Sequence, residues 1–160
     1  ATKSDPNAVI SEDIPNGGQA NIPLDGPGTN KNVSIIVTAP NGTSKTYSIT
    51  VNRLAPSTDS NLANLTVSAG TLNPGFSSGT LTYTVTVPAS VDSLTVTATK
   101  SDANSVMSSS GSVIAPEGVT IGSVSSSLGL GTTTLFTITV TAQDGVTTRP
   151  YTINVFRDSR

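Results

Sequence analysis

The chain has 160 residues, of which 11% are charged, a formal net charge of -2, and neither Cys, His nor Trp. Those counts exclude disulfide, thiol and imidazole chemistry, and they offer no basic patch for nucleic acid or an anionic membrane surface. Ser and Thr make up nearly a third of the chain, and the branched Cβ of threonine suits the wet face of a strand, so an all-β protein is expected.

Residues 1–11, ATKSDPNAVIS, lead into a polar stretch with the adjacent carboxylates Glu12 and Asp13. Across residues 32–53, NVSIIVTAPNGTSKTYSITVNR, apolar residues alternate with polar ones on both sides of Asn41 and Gly42, the pattern of a β-hairpin. Ile35, Val37, Tyr47, Ile49 and Val51 are assigned to its inward face. Residues 54–61 are short, polar and contain Pro56, which suits a linker. Leu62, Leu65 and Val67 then anchor a strand that GTLNPGF at 70–76 breaks into a turn. Tyr83, Val85 and Val87 alternate with Thr82, Thr84 and Thr86 until Pro88, which lacks a ladder donor. Leu94, Val96 and Ala98 repeat the pattern. Residues 101–117 are mostly small and polar, with Val113 and Ile114 as one brief strand and Val119 and Ile121 as the next. Phe136, Ile138, Val140 and Ala142 approach a turn at Asp144 and Gly145, and Tyr151, Ile153 and Val155 return from it.

The two ends of this sequence are copies. Residues 32–53 return as 135–157, LFTITVTAQDGVTTRPYTINVFR, with Tyr47 matching Tyr151 and Arg53 matching Arg157, and residues 1–11 return as 98–108, ATKSDANSVMS, with Lys3 matching Lys100. One module is therefore about 100 residues long. Residues 1–53 read as the C-terminal half of a first module, 54–61 as a linker, 62–157 as a complete module, and 158–160 as a tail or the start of a further linker. Six or seven strands per module without a helical period argue for tandem Greek-key β-sandwiches, the first incomplete.

LANLTVSAGTLNPGF at 62–76, YTVTVP at 83–88, and TAQDG at 141–145 with Tyr151 to Arg157 beyond it resemble the bacterial cadherin-like β-sandwich domain. The resemblance covers 62–157, and its closing part fits 32–53. It implies a module found in tandem in large secreted and cell-surface proteins, an accessory or carbohydrate-binding role, and no catalytic residues.

The residues themselves carry no converging chemistry. Eight Asp, two Glu and four Lys are the only bases, Glu12 and Asp13 read as solvated loop charge, and no SxxK stretch occurs, so no enzyme and no cofactor are expected. For calcium, Asp5, Asn7, Asp102 and Asn104 in the two loop copies are the residual ligand candidates, and an Asx turn is the favoured reading of both. Of six aromatic residues only Phe156 is out of phase with the core, a poor platform for sugar. Tyr47 and Tyr151 are expected to tuck their hydroxyls against backbone. Sequons at Asn32, Asn41 and Asn64 are frequent by chance in a chain this rich in Ser and Thr. Lys3 and Lys100 read as solvated strand-end lysines.

These observations point to a structural or interaction module of a long extracellular bacterial protein: a spacer, stalk, adhesin or filament building block. The alternative is a carbohydrate-binding accessory domain of a cell-surface protein. Expected partners are other protein modules or identical subunits, with polysaccharide as the alternative ligand, and neither nucleic acid nor membrane insertion. No apolar run approaches the roughly 18 residues that span a bilayer. The chain opens on Ala without a leader-like segment, which reads as a mature product or a piece of something longer. A half module of about 50 residues buries too little to offset chain entropy. Ile35, Val37, Tyr47, Ile49 and Val51 are therefore expected at an interface, covered by strands that precede Ala1 or come from a neighbouring subunit, in a longer array or homo-oligomer.

Overall fold

Each stretch in which β-branched residues alternate with threonine forms a strand, because period-two alternation leaves one face to bury and one for water. In the computed structural model, which describes residues 1–160, the chain divides into two units, Ala1–Pro56 and Ser57–Arg160.

The second unit holds eight strands: β4 (Leu62–Val67), β5 (Thr82–Val87), β6 (Ser93–Lys100), β7 (Val106–Ser109), β8 (Ser112–Ala115), β9 (Ile121–Ser127), β10 (Thr133–Thr141) and β11 (Thr148–Arg157). They form a five-stranded sheet in the order β5-β11-β10-β7-β8 and a three-stranded sheet in the order β4-β6-β9. The fold is the expected β-sandwich. Leu62, Leu65, Leu94, Val96 and Ala98 from the smaller sheet share one core with Tyr83, Val85, Phe136, Ile138, Val140, Tyr151, Ile153 and Val155 from the larger. All pairings are antiparallel except one: β5 lies parallel to β11, Thr82 opposite Thr152 and Val87 opposite Arg157. Strand β7 lies in a stretch with little apolar pattern, and β9 runs seven residues where a brief strand is expected, so eight strands stand in place of six or seven.

The first unit is one sheet of three strands, β1 (Val9–Glu12), β2 (Thr29–Thr38) and β3 (Ser44–Arg53), in the order β1-β2-β3. By the internal repeat these correspond to β7, β10 and β11, and they keep the same neighbours. Residues 13–28, in the place of β8 and β9, contain no strand. The first unit thus has the middle of the larger sheet but no counterpart of β5 along its edge and none of β4-β6-β9 across its face.

Its small core consists of Ile10, Ile14, Val33 and Ile35, with Ile22 and Val37 packed beside them. Ile35 departs from the expectation of an open apolar row. It is only 8% exposed, because Ile10 of β1 and Ile14 of the following loop cover it.

Candidate functional site

The repeat supplies an internal comparison between a covered strand and an uncovered one. In β11, Tyr151, Ile153 and Val155 are each 0% exposed. Their counterparts in β3 are uncovered: Tyr47 is 49% exposed, Ile49 is 51% exposed, and Val51 is half-buried. Local sequence is nearly the same, so the difference comes from what lies against the strand.

The polar groups show the same contrast. The Tyr151 hydroxyl accepts the Leu62 N–H at 3.1 Å and donates to the Ser78 carbonyl at 2.8 Å, while the Tyr83 hydroxyl donates to the Ser77 carbonyl at 2.8 Å. The Tyr47 hydroxyl makes no such bond, and the Lys45 ammonium stands 5.4 Å from its ring centre. Arg157 spans two loops: Nε and Nη2 donate to the Ala89 carbonyl at 3.0 and 2.5 Å, and Nη1 donates to the Leu128 carbonyl at 2.7 Å. Arg53 keeps only the last of these, donating from Nη1 to the Asp25 carbonyl at 2.9 Å. Along the outer edge of β11 the Thr152 N–H donates to the Leu81 carbonyl at 2.8 Å, and the Asp158 N–H to the Val87 carbonyl at 2.9 Å. The matching edge of β3 has no strand beside it.

Residues 1–4, Ile10, Ile35, Val37, Tyr47 and Ile49 line a groove of about 530 Å³ on this face. An open apolar strand flanked by unused backbone donors and acceptors is a template for another strand. Of the five residues assigned to this surface, Tyr47, Ile49 and Val51 form its uncovered row, Val37 stands at the margin, and Ile35 is beneath it.

The carboxylates lie elsewhere, in turns. The Asn7 N–H donates to the Asp5 carboxylate and the Asn104 N–H to the Asp102 carboxylate, both at 2.9 Å, so each Asp closes its own Asx turn. The Asn104 amide is the largest cause holding the Asp102 carboxyl below its ordinary value. Asp59 accepts the Ser101 hydroxyl at 2.6 Å and the Asn61 amides, and these bonds, the Ser101 one foremost, likewise lower its pKa against the opposing effect of burial. No three acidic residues converge on one point.

Lys100 contradicts its reading as a solvated strand-end lysine. It is 2% exposed, and its ammonium donates to the carbonyls of Ser105 at 2.5 Å, Pro116 at 3.0 Å and Ala103 at 3.3 Å. The phase of β6 forces this: Leu94, Val96, Ala98 and Lys100 all point inward, and carbonyl oxygens of the following loop take the charge that water cannot reach. Burial lowers its pKa, with the Asp102 and Glu117 carboxylates opposing. Lys3 is half-buried and donates to Asn16 Oδ1 at 3.3 Å. Phe156 is 41% exposed, a single ring on the outer face.

The family model for the cadherin-like β-sandwich domain matches residues 4–54 and again residues 62–158. The chain belongs to the cadherin-like β-sandwich domain family. Two separate matches on one chain accord with the two copies in the sequence. Domains of this family are generally non-catalytic structural modules that mediate protein–protein contacts, typically outside the cell. No curated protein matches the chain. No helix is long and apolar enough to cross a membrane.

Arg53 and the edge groups of β3 are functional candidates that periodicity does not single out. The signal for Arg53 lies in the repeat, since both copies end their last strand in arginine at the same place.

Proposed function

We propose that this chain is a structural interaction module of a long extracellular bacterial protein, acting as spacer, stalk, adhesin or filament building block, and that its first unit is an acceptor completed by strands from another polypeptide segment. One observation carries the reading: Tyr47, Ile49 and Val51 are open where Tyr151, Ile153 and Val155 of the same motif are fully buried. Full cover of a large apolar side chain is worth about 1.5–3 kcal/mol. Three half-exposed ones therefore leave a driving force of about 3 kcal/mol for association, before the edge hydrogen bonds are added. The second unit buries the equivalent row at Tyr151, Ile153 and Val155, and its Thr-rich outer faces suit a spacer. No enzymatic role is assigned to the chain.

Sedimentation of the chain over a range of concentrations tests this. Self-association through the acceptor face is expected, weakened by Ile49→Lys without any change in the melting of the second unit. A monomer at all concentrations, indifferent to Ile49→Lys and with the amides of residues 44–53 well protected, would contradict it.

A further inference from the structure

The finished module specifies the strand that the unfinished one lacks. Resting on the reading of the first unit as an acceptor, we infer that β3 receives the front half of a cadherin-like module, a segment of the type of residues 62–97, whose second strand adds to β3 in parallel and in one register. In the second unit Thr82, Tyr83, Thr84, Val85, Thr86 and Val87 stand opposite Thr152, Ile153, Asn154, Val155, Phe156 and Arg157. The repeat carries that ladder onto Ser48, Ile49, Thr50, Val51, Asn52 and Arg53. The incoming strand therefore places a hydroxyl residue at Ser48, a large apolar one at Ile49 and a β-branched apolar one at Val51, with polar residues between them at Thr50 and Asn52.

Three groups outside the ladder define the same occupant. Ser48, in the position of Thr152, presents its N–H to the carbonyl that precedes the strand, as Leu81 does in the second unit. Tyr47, in the position of Tyr151, needs both an N–H donor like that of Leu62 and a carbonyl like that of Ser78. Arg53, in the position of Arg157, has Nε and Nη2 for a carbonyl two residues beyond the strand, as at Ala89. An antiparallel strand would put none of these partners in place. The three requirements are spread over the first strand, the loop after it and the residues after the second strand of the front half, so a single extended peptide does not satisfy them.

The test places a second copy of residues 62–97 ahead of Ala1, since residue 97 precedes Ala98, the counterpart of Ala1. Thr82→Cys in that copy is combined with Ser48→Cys in one protein and Asn52→Cys in another; the chain has no cysteine of its own to compete. In-register parallel pairing brings position 82 beside 48, whereas an antiparallel strand that keeps position 84 opposite 50, and so the same face inward, brings it beside 52. The expected result is a disulfide in the first protein only, with the amides of Ser48, Thr50 and Asn52 exchanging at least about 100-fold more slowly than in the unextended chain. A disulfide to position 52 overturns the direction inferred here while leaving strand completion standing. Slowed amides with neither disulfide overturn the register. Neither disulfide and unchanged exchange overturn both the inference and the acceptor reading beneath it.

Discussion

Replacing each of the two repeat tyrosines by phenylalanine separates a hydroxyl bonded to two backbone groups from one that bonds none. Tyr151 is wholly buried, and its oxygen ties the first residue of β4, through the Leu62 N–H, to the loop before β5, through the Ser78 carbonyl. Tyr151→Phe keeps the ring and leaves both backbone groups without a partner. The Leu62 N–H is buried, and an unsatisfied buried group costs about 1–3 kcal/mol; the Ser78 carbonyl belongs to an exposed residue and adds little, so a loss of about 1–3 kcal/mol is expected. For a unit of this size that lowers the midpoint by about 4–24 °C, at 4–8 °C per kcal/mol. Tyr47→Phe removes a hydroxyl that bonds nothing on a half-exposed ring, and should change stability by less than about 0.5 kcal/mol. Differential scanning calorimetry of the two variants checks this directly. Equal shifts, or a larger one for Tyr47→Phe, would refute the argument that the same residue has different work in the two copies.

Phe136→Ala should cost the second unit about 3–5 kcal/mol through lost burial and a cavity, while Thr84→Ala on the wet face should cost under about 1 kcal/mol; similar denaturant midpoints would show the faces to be misassigned. Lys100→Met should cost about 1–3 kcal/mol, a modest loss because the Ala103 and Pro116 carbonyls also accept the Gly118 and Val119 amides and only Ser105 loses its donor; a neutral result in urea unfolding would contradict the carbonyl cage. Asp144 has its pKa lowered chiefly by the Thr147 hydroxyl, then by the Val146 and Thr147 amides. Its contribution is thus complete above its ordinary value of 3.8 and is lost as pH falls below that through the lowered one. Asp144→Asn, which installs the Asn41 turn of the first copy, should flatten this acid limb of the stability profile; an unchanged limb would count against it.

The fold was legible wherever one strand face is apolar and the other is threonine, because burial then writes itself as a period of two. It was illegible where the core is built from small or polar groups. In β7 the buried positions are Met107 and Ser109, with Ser105 buried just before them, so only one residue carries an apolar signal. In β9 a Cβ on Gly122 would lie 2.8 Å from the Ile114 carbonyl oxygen and 2.9 Å from the end of Met107, so the apolar side chain that would have marked the strand does not fit. Lys100 sat in the inward phase of β6, and its charge outweighed its phase; the three carbonyls that resolve the conflict come from residues 103–116 and have no local signature. The exposure of Tyr47, Ile49 and Val51 was legible from the repeat, since their counterparts Tyr151, Ile153 and Val155 are covered by strands from residues 62–97, a stretch that residues 1–53 do not repeat. The cover over Ile35 was not, because it depends on Ile14 in a loop without periodicity.

Residue-resolved amide hydrogen exchange on the chain compares the two copies of the last strand within one molecule. Slow exchange is expected at Thr152, Asn154 and Phe156, whose edge is closed by β5, and fast exchange at Ser48, Thr50 and Asn52, with the second set slowing as association increases. Equal, concentration-independent protection of both sets in a monomer would contradict it.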